Sequence, residues 1–117
     1  MKTLIMFFGL SLTLISTNGQ QGIEGLWDTG QYNTKIEIIG TNGKIYSSDN
    51  EKVTVGKIIV KELKKKGNNY KGKLYLFRRN QWVDAVFDPE GNFLVVNISV
   101  GWQSKSLKWK LVENYND

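Results

Sequence analysis

Neither cysteine nor histidine occurs anywhere in the 117 residues. Their absence excludes a disulfide framework, a thiol nucleophile, a Ser-His triad and a zinc site of the usual nitrogen and sulfur donors. It also removes the commonest general base. With no cysteine there is no residue for N-terminal lipid attachment, so an exported product would be soluble and not a lipoprotein. Proline occurs once, at Pro89. The apolar run over residues 4–15 is shorter than the roughly 20 residues that a spanning helix requires, and no transmembrane segment is expected in the rest of the chain. The glycines are scattered through turns, so no phosphate-cradling loop forms. Ser48-Asp49-Asn50-Glu51 is too short for a calcium loop. No cofactor and no metal are expected.

What is present begins at the N-terminus. Lys2, the apolar run and the small polar stretch Ser16-Thr17-Asn18-Gly19-Gln20 follow the order of a secretory leader. Thr17 and Gly19 suit the two positions that a signal peptidase reads, which favours cleavage after Gly19 over cleavage after Gln20. Residues 1–19 then form a cleaved leader and residues 20–117 a single exported domain, periplasmic or secreted. A domain of roughly a hundred residues has a modest core, and four Trp, five Tyr and five Phe are available to fill it. Sixteen Lys and Arg against eleven acids give a formal charge of +5, which suits an acidic partner or simply keeps a small domain in solution.

The domain reads as short alternating or apolar runs separated by turn signals, the pattern of an antiparallel all-β fold. Residues 34–39 form the first clear strand. Gly40-Thr41-Asn42-Gly43 closes it, with Asn42-Gly43 as the hairpin signal, and is expected to turn the chain into residues 44–46. Residues 53–63 form the next strand. Val55, Ile58, Ile59 and Leu63 would also line a helix face, but the β-branched run and Gly56 favour the strand. Residues 64–68 turn into 70–78, residues 79–81 into 82–87, and Asp88-Pro89-Glu90-Gly91 matches a type I turn. Residues 93–100 and 103–112 close the chain, with Gly101 at their bend. In the last segment Leu107, Trp109 and Leu111 alternate with Lys108 and Lys110, apolar on one face and cationic on the other. Seven or eight strands in meander order are expected to close into a small antiparallel barrel, which leaves no sticky edge.

Gly25-Leu26-Trp27 at the start of the domain resembles the Gly-x-Trp signature of lipocalins and related calycin barrels. That resemblance implies that Trp27 plugs a closed end, with Trp109 beside it and Lys108 or Lys110 lying across. A longer ordered string carries a second resemblance. It runs from Gly25-Leu26-Trp27 through Thr34-Lys35-Ile36-Glu37-Ile38, Asn42-Gly43-Lys44-Ile45-Tyr46, Val55-Gly56-Lys57-Ile58-Ile59, Tyr70-Lys71-Gly72-Lys73-Leu74-Tyr75, Trp82-x-Asp84 and Val100-Gly101-Trp102. Together with Ser104-Lys105-Ser106-Leu107-Lys108-Trp109 it resembles the exported bacterial domain-of-unknown-function family 2147 over essentially the whole domain. The resemblance implies a small calycin-type barrel and brings no activity with it.

Two surfaces emerge as candidate sites. Trp82 and Trp102 lie beside turns, with Asp84 and Lys105 near them in sequence. Gathered at an open mouth, they would bind a small apolar or amphipathic ligand, which is the leading expectation. Lys57, Lys61, Lys64, Lys65, Lys66, Lys71 and Lys73 concentrate charge on one hairpin. There they would either discourage edge association or meet an anionic envelope component or protein partner. Export disfavours nucleic acid as a partner. Catalysis would rest on carboxylate pairs, Glu24 with Asp28 or Asp84 with Asp88, and such acids near turns more often serve the turn. The chain is therefore expected to be a non-catalytic binding module, with a filled-core interaction or inhibitor domain as the alternative. An accessible lumen would favour the former and a packed one the latter.

Overall fold

The computed structural model describes residues 22–115, so the leader expected at residues 1–19 and its expected cleavage site lie outside the described residues. The described chain is all strand and turn. Its eight strands are β1 (Gly25–Asp28), β2 (Lys35–Ile39), β3 (Asn42–Ser47), β4 (Ile58–Lys66), β5 (Asn69–Leu76), β6 (Gln81–Glu90), β7 (Phe93–Val100) and β8 (Gln103–Asn114). They pair antiparallel in chain order, and β1 pairs with β8 to close the barrel. The expected meander barrel is the observed fold.

Alternation sets the inside. Ile36 and Ile38, Val83, Ala85 and Phe87, and Leu94, Val96 and Ile98 are buried, while the residues between them face out. One buried cluster joins these side chains to Ile23, Ile45, Val60, Leu74, Trp27 and Trp109. An eight-stranded barrel is only just wide enough for its own side chains, and here branched and aromatic residues fill it. Where the wall narrows, glycine replaces a side chain. A Cβ on Gly25 would lie 2.4 Å from the Glu113 carbonyl oxygen, and one on Gly43 2.9 Å from Cβ of Val60.

The turns correct the sequence reading. Four hairpins close with two residues, Gly40-Thr41, Gly67-Asn68, Gly91-Asn92 and Gly101-Trp102. In each the glycine has φ between 61° and 63° and its successor has no positive φ, the pattern of a type II′ turn with glycine first. Asn42 and Gly43 are thus strand residues and not the turn. Asp88-Pro89-Glu90 likewise continues β6 up to Gly91. Residues 53–57, expected to be strand, form a loop, and β4 begins only at Ile58 and runs on through Lys66.

The meander gives the barrel two unlike ends. The turns Gly40-Thr41, Gly67-Asn68 and Gly91-Asn92, the entering segment 22–24 and the end of β8 form the turn end. Loops 29–34, 48–57 and 77–80 and the Gly101-Trp102 turn form the loop end. Val53 folds from loop 48–57 against the core and helps to cover the loop end.

Candidate interaction surface

Trp27 is 2% exposed, and its Nε1–H donates to the Ile23 carbonyl at 3.0 Å. Ile23 is itself buried, so the chain entering β1 closes the turn end under the indole. Trp109 packs against Phe87 with ring centroids 6.2 Å apart. Lys108 projects outward, its Nζ 4.4 Å from the centre of the Phe93 ring, and not across Trp27.

Trp82, Asp84, Trp102 and Lys105 do not come together on one wall. Trp82 and Asp84 alternate with buried Val83 and Ala85, which places both on the outer face of β6. Trp82 stands opposite Tyr75 with centroids 5.5 Å apart, and Asp84 stands opposite Lys73. Trp102 projects from the tip of its turn and is 93% exposed. Lys105 is exposed on β8, opposite Ile98. Sequence spacing gave proximity to the turns, while strand parity decided which side of the wall each ring occupies.

The lysines do assemble. Across the β4–β5 ladder Lys61 stands directly opposite Lys73, and Lys64 directly opposite Lys71. A bulge with Glu62 at φ 58° separates the two pairs. Like charges at facing positions of an antiparallel pair repel. Only Lys73 among these residues has a carboxylate partner within the described residues, Asp84, at 2.7 Å. That bond holds the Asp84 carboxyl below its ordinary range and raises the Lys73 ammonium.

Several of the other lysines lie over rings. Lys61 Nζ is 4.2 Å from the Trp82 centroid, Lys57 Nζ 4.6 Å from Tyr75, and Lys65 Nζ 5.2 Å from Tyr70. Phe77 meets the Tyr75 ring edge at 5.2 Å, and the Tyr75 hydroxyl donates to Asn80 Oδ1. On the outer face of β4, β5 and β6, Lys57 and Lys61 are therefore held over the negative faces of Tyr75 and Trp82, whereas Lys65 covers Tyr70 at the turn end, where Tyr70 stands opposite the buried Phe87. Comparison with protein-family models, curated proteins and solved structures finds no match to this chain.

The carboxylates are spread apart. Glu24 Oε2 accepts from the Gly40 N–H at 2.6 Å at the turn end, whereas Asp28 Oδ1 accepts from the Gly30 N–H at 2.8 Å at the loop end. Asp84 and Asp88 lie on one strand about 13 Å apart at ~3.3 Å per residue, beyond the ~5–9.5 Å at which paired carboxylates cleave a glycosidic bond. A further polar cluster escaped the sequence reading. The Tyr115 hydroxyl donates to Glu37 Oε2 at 2.9 Å while Lys44 Nζ lies 3.6 Å from Glu37 Oε1. Burial and then the Glu37 bond push the Tyr115 phenol up to about 12. These residues are 78 positions apart in sequence, and only barrel closure brings β8 round to β2.

Proposed function

We propose that this chain is an exported, non-catalytic interaction module with a filled interior, and that its basic β4–β5 hairpin recognises an acidic protein surface. The observation that carries this reading is the facing of Lys61 with Lys73 and of Lys64 with Lys71. A fold gains nothing from opposed like charges, whereas an anionic partner would relieve the repulsion. The cation–π contacts hold part of this charge in fixed positions, so less freedom is lost on binding. The packed lumen supports this reading over a small ligand in the barrel, since Phe87, Val96 and Ile38 occupy the space such a ligand would need. The resemblance to the exported family 2147 fits the same reading and adds no activity to it.

Poly-L-glutamate serves as the test partner. The protein should bind it with an affinity that falls as salt rises, and its native mass should carry no small-molecule adduct. Lys64→Glu should weaken the binding by about tenfold or more, since a favourable contact becomes repulsive. Equal affinity of the two proteins, measured by calorimetry, would overturn the reading.

A further inference from the structure

We propose that the loop end of the barrel docks on the surface of an anionic lipid bilayer. The proposal stands on the loop end, away from the facing Lys61–Lys73 and Lys64–Lys71 pairs, and shares only Lys57 and Phe77 with the upper edge of that hairpin surface. Each of the four connections at this end presents a large apolar side chain to solvent. These are Tyr32 at 67% exposure, Val55 at 61%, Phe77 at 38% and Trp102 at 93%. Three of them are aromatic, the side-chain type that favours the membrane–water boundary, and two carry the polar atom that suits it best. The two-residue turns at the opposite end hold only glycine, threonine and asparagine. The turn tips of that end thus carry no large apolar side chain, although Ile39 beside Gly40 is 56% exposed and Val112 near the end of β8 is 49% exposed.

The loop end carries cations as well, although the Lys64-Lys65-Lys66 cluster lies at the other end. Arg78 and Arg79 occupy the same turn as Phe77, and Lys52 and Lys57 lie in the loop of Val55. They outnumber Asp49 and Glu51, the acids of these connections, as attraction to an anionic leaflet requires. The tips are also held in place. Tyr32 has φ 51°, a left-handed conformation that a bulky residue adopts only under constraint. Its carbonyl accepts from the Asp49 N–H at 2.9 Å, and Thr34 Oγ1 lies 2.6 Å from Ser48 Oγ, so loops 29–34 and 48–57 are bonded to one another. Fixed apolar tips among cations suit shallow insertion at a headgroup layer. The barrel wall does not suit spanning, because Lys44, Lys71, Lys73, Asp84 and Lys108 interrupt any apolar band on its outer face. Docking by the loop end would leave the lysines beside the Gly67-Asn68 turn pointing away from the lipid, free for the acidic partner.

The test is co-sedimentation of the purified protein with vesicles of phosphatidylcholine alone and of phosphatidylcholine mixed with phosphatidylglycerol. The protein should sediment only with the mixed vesicles, and its tryptophan emission should shift to the blue. Trp102→Ser should weaken partition about tenfold, as should Arg78→Gln combined with Arg79→Gln. Trp102 is almost wholly exposed, so its variant should melt at the wild-type temperature. Val55→Ser provides a second variant if it does not. Lys64→Glu, at the far end of β4, should sediment as wild type does, so loss of poly-L-glutamate binding and loss of vesicle binding separate. The proposal is overturned if wild type sediments with neither vesicle, or if Trp102→Ser partitions unchanged. It is equally overturned if only Lys64→Glu loses vesicle binding, or if the protein needs Trp102 to bind soluble alginate yet ignores vesicles.

Discussion

Gly25 shows how little room barrel closure leaves to a single residue. A Cβ there would meet a backbone oxygen of β8, the Glu113 carbonyl, which cannot rotate away as a side chain could. Gly25→Ala should therefore destabilise the fold by about 2 kcal/mol or more, read as a lower midpoint in a urea titration. A variant as stable as wild type would mean that β1 and β8 can part at no cost. Tyr115 makes the opposite kind of closure, by a hydrogen bond to Glu37 on β2. Its phenol is raised from 10.0 to about 12 in the folded chain. The folded state then keeps a proton that the unfolded state loses, so this contribution is complete below pH 10 and disappears as pH rises toward 12. Tyr115→Phe should lower stability near neutral pH by about 1 kcal/mol. The difference between the two proteins should shrink between pH 10 and pH 12, which thermal melts across that range would show. A difference that stays constant up to pH 12 would detach the bond from the shift.

At the scale of the element, the β4–β5 hairpin trades stability for charge. Replacing Lys64 with Glu turns a repelling pair with Lys71 into an attracting one, worth about 0.2–1 kcal/mol in a cross-strand pair. The Lys64→Glu variant should therefore melt at a higher temperature than wild type while binding poly-L-glutamate less well. Lower stability would mean that the lysines serve the fold and not a partner. The same hairpin shows what the sequence made legible. Alternation of apolar and polar residues located the strands and the all-β class, because each strand has one face inside the barrel. Strand ends were harder to place. Asn42-Gly43 carries the usual hairpin signal, yet Gly43 is required inside the wall against Val60, and Gly40-Thr41 makes the turn instead. In residues 53–57 β-branched composition points to strand, but Val53 turns inward to cover the core and the chain loops. The basic hairpin was legible as a run of lysines. That its lysines face one another, and that Trp82 lies beneath Lys61 on the outer wall and not in a mouth, depends on register, which composition does not encode.

Across the whole molecule the ladder is uneven. β7 and β8 are paired without interruption from Phe93 opposite Lys110 to Val100 opposite Gln103. β3 and β4 are paired only at Gly43 with Val60 and Lys44 with Ile58, with a shift of register between. Outside that ladder the Ile45 N–H bonds to the Lys57 carbonyl and the Leu63 N–H to the Thr41 carbonyl. A closed barrel has no free edge, so a local opening must create two, and it will do so where least is lost. The seam between β3 and β4 is that place. Outside it lies a shallow recess lined by Glu37, Ile39, Asn42, Lys44 and Ile58, where no further layer of protein adds to the wall. Strand β4 also carries Lys61 and Lys64, whose repulsion from β5 is lowered when the wall relaxes. Native-state hydrogen exchange should therefore find the Ile45 and Leu63 amides at least about tenfold less protected than those of Val96 and Trp109, as expected when a sub-global opening precedes unfolding. Lys64→Glu should narrow that gap by quietening the hairpin. Equal protection across all four amides would mean that the barrel opens only as a whole, and that the short β3–β4 ladder is as strong as the long one.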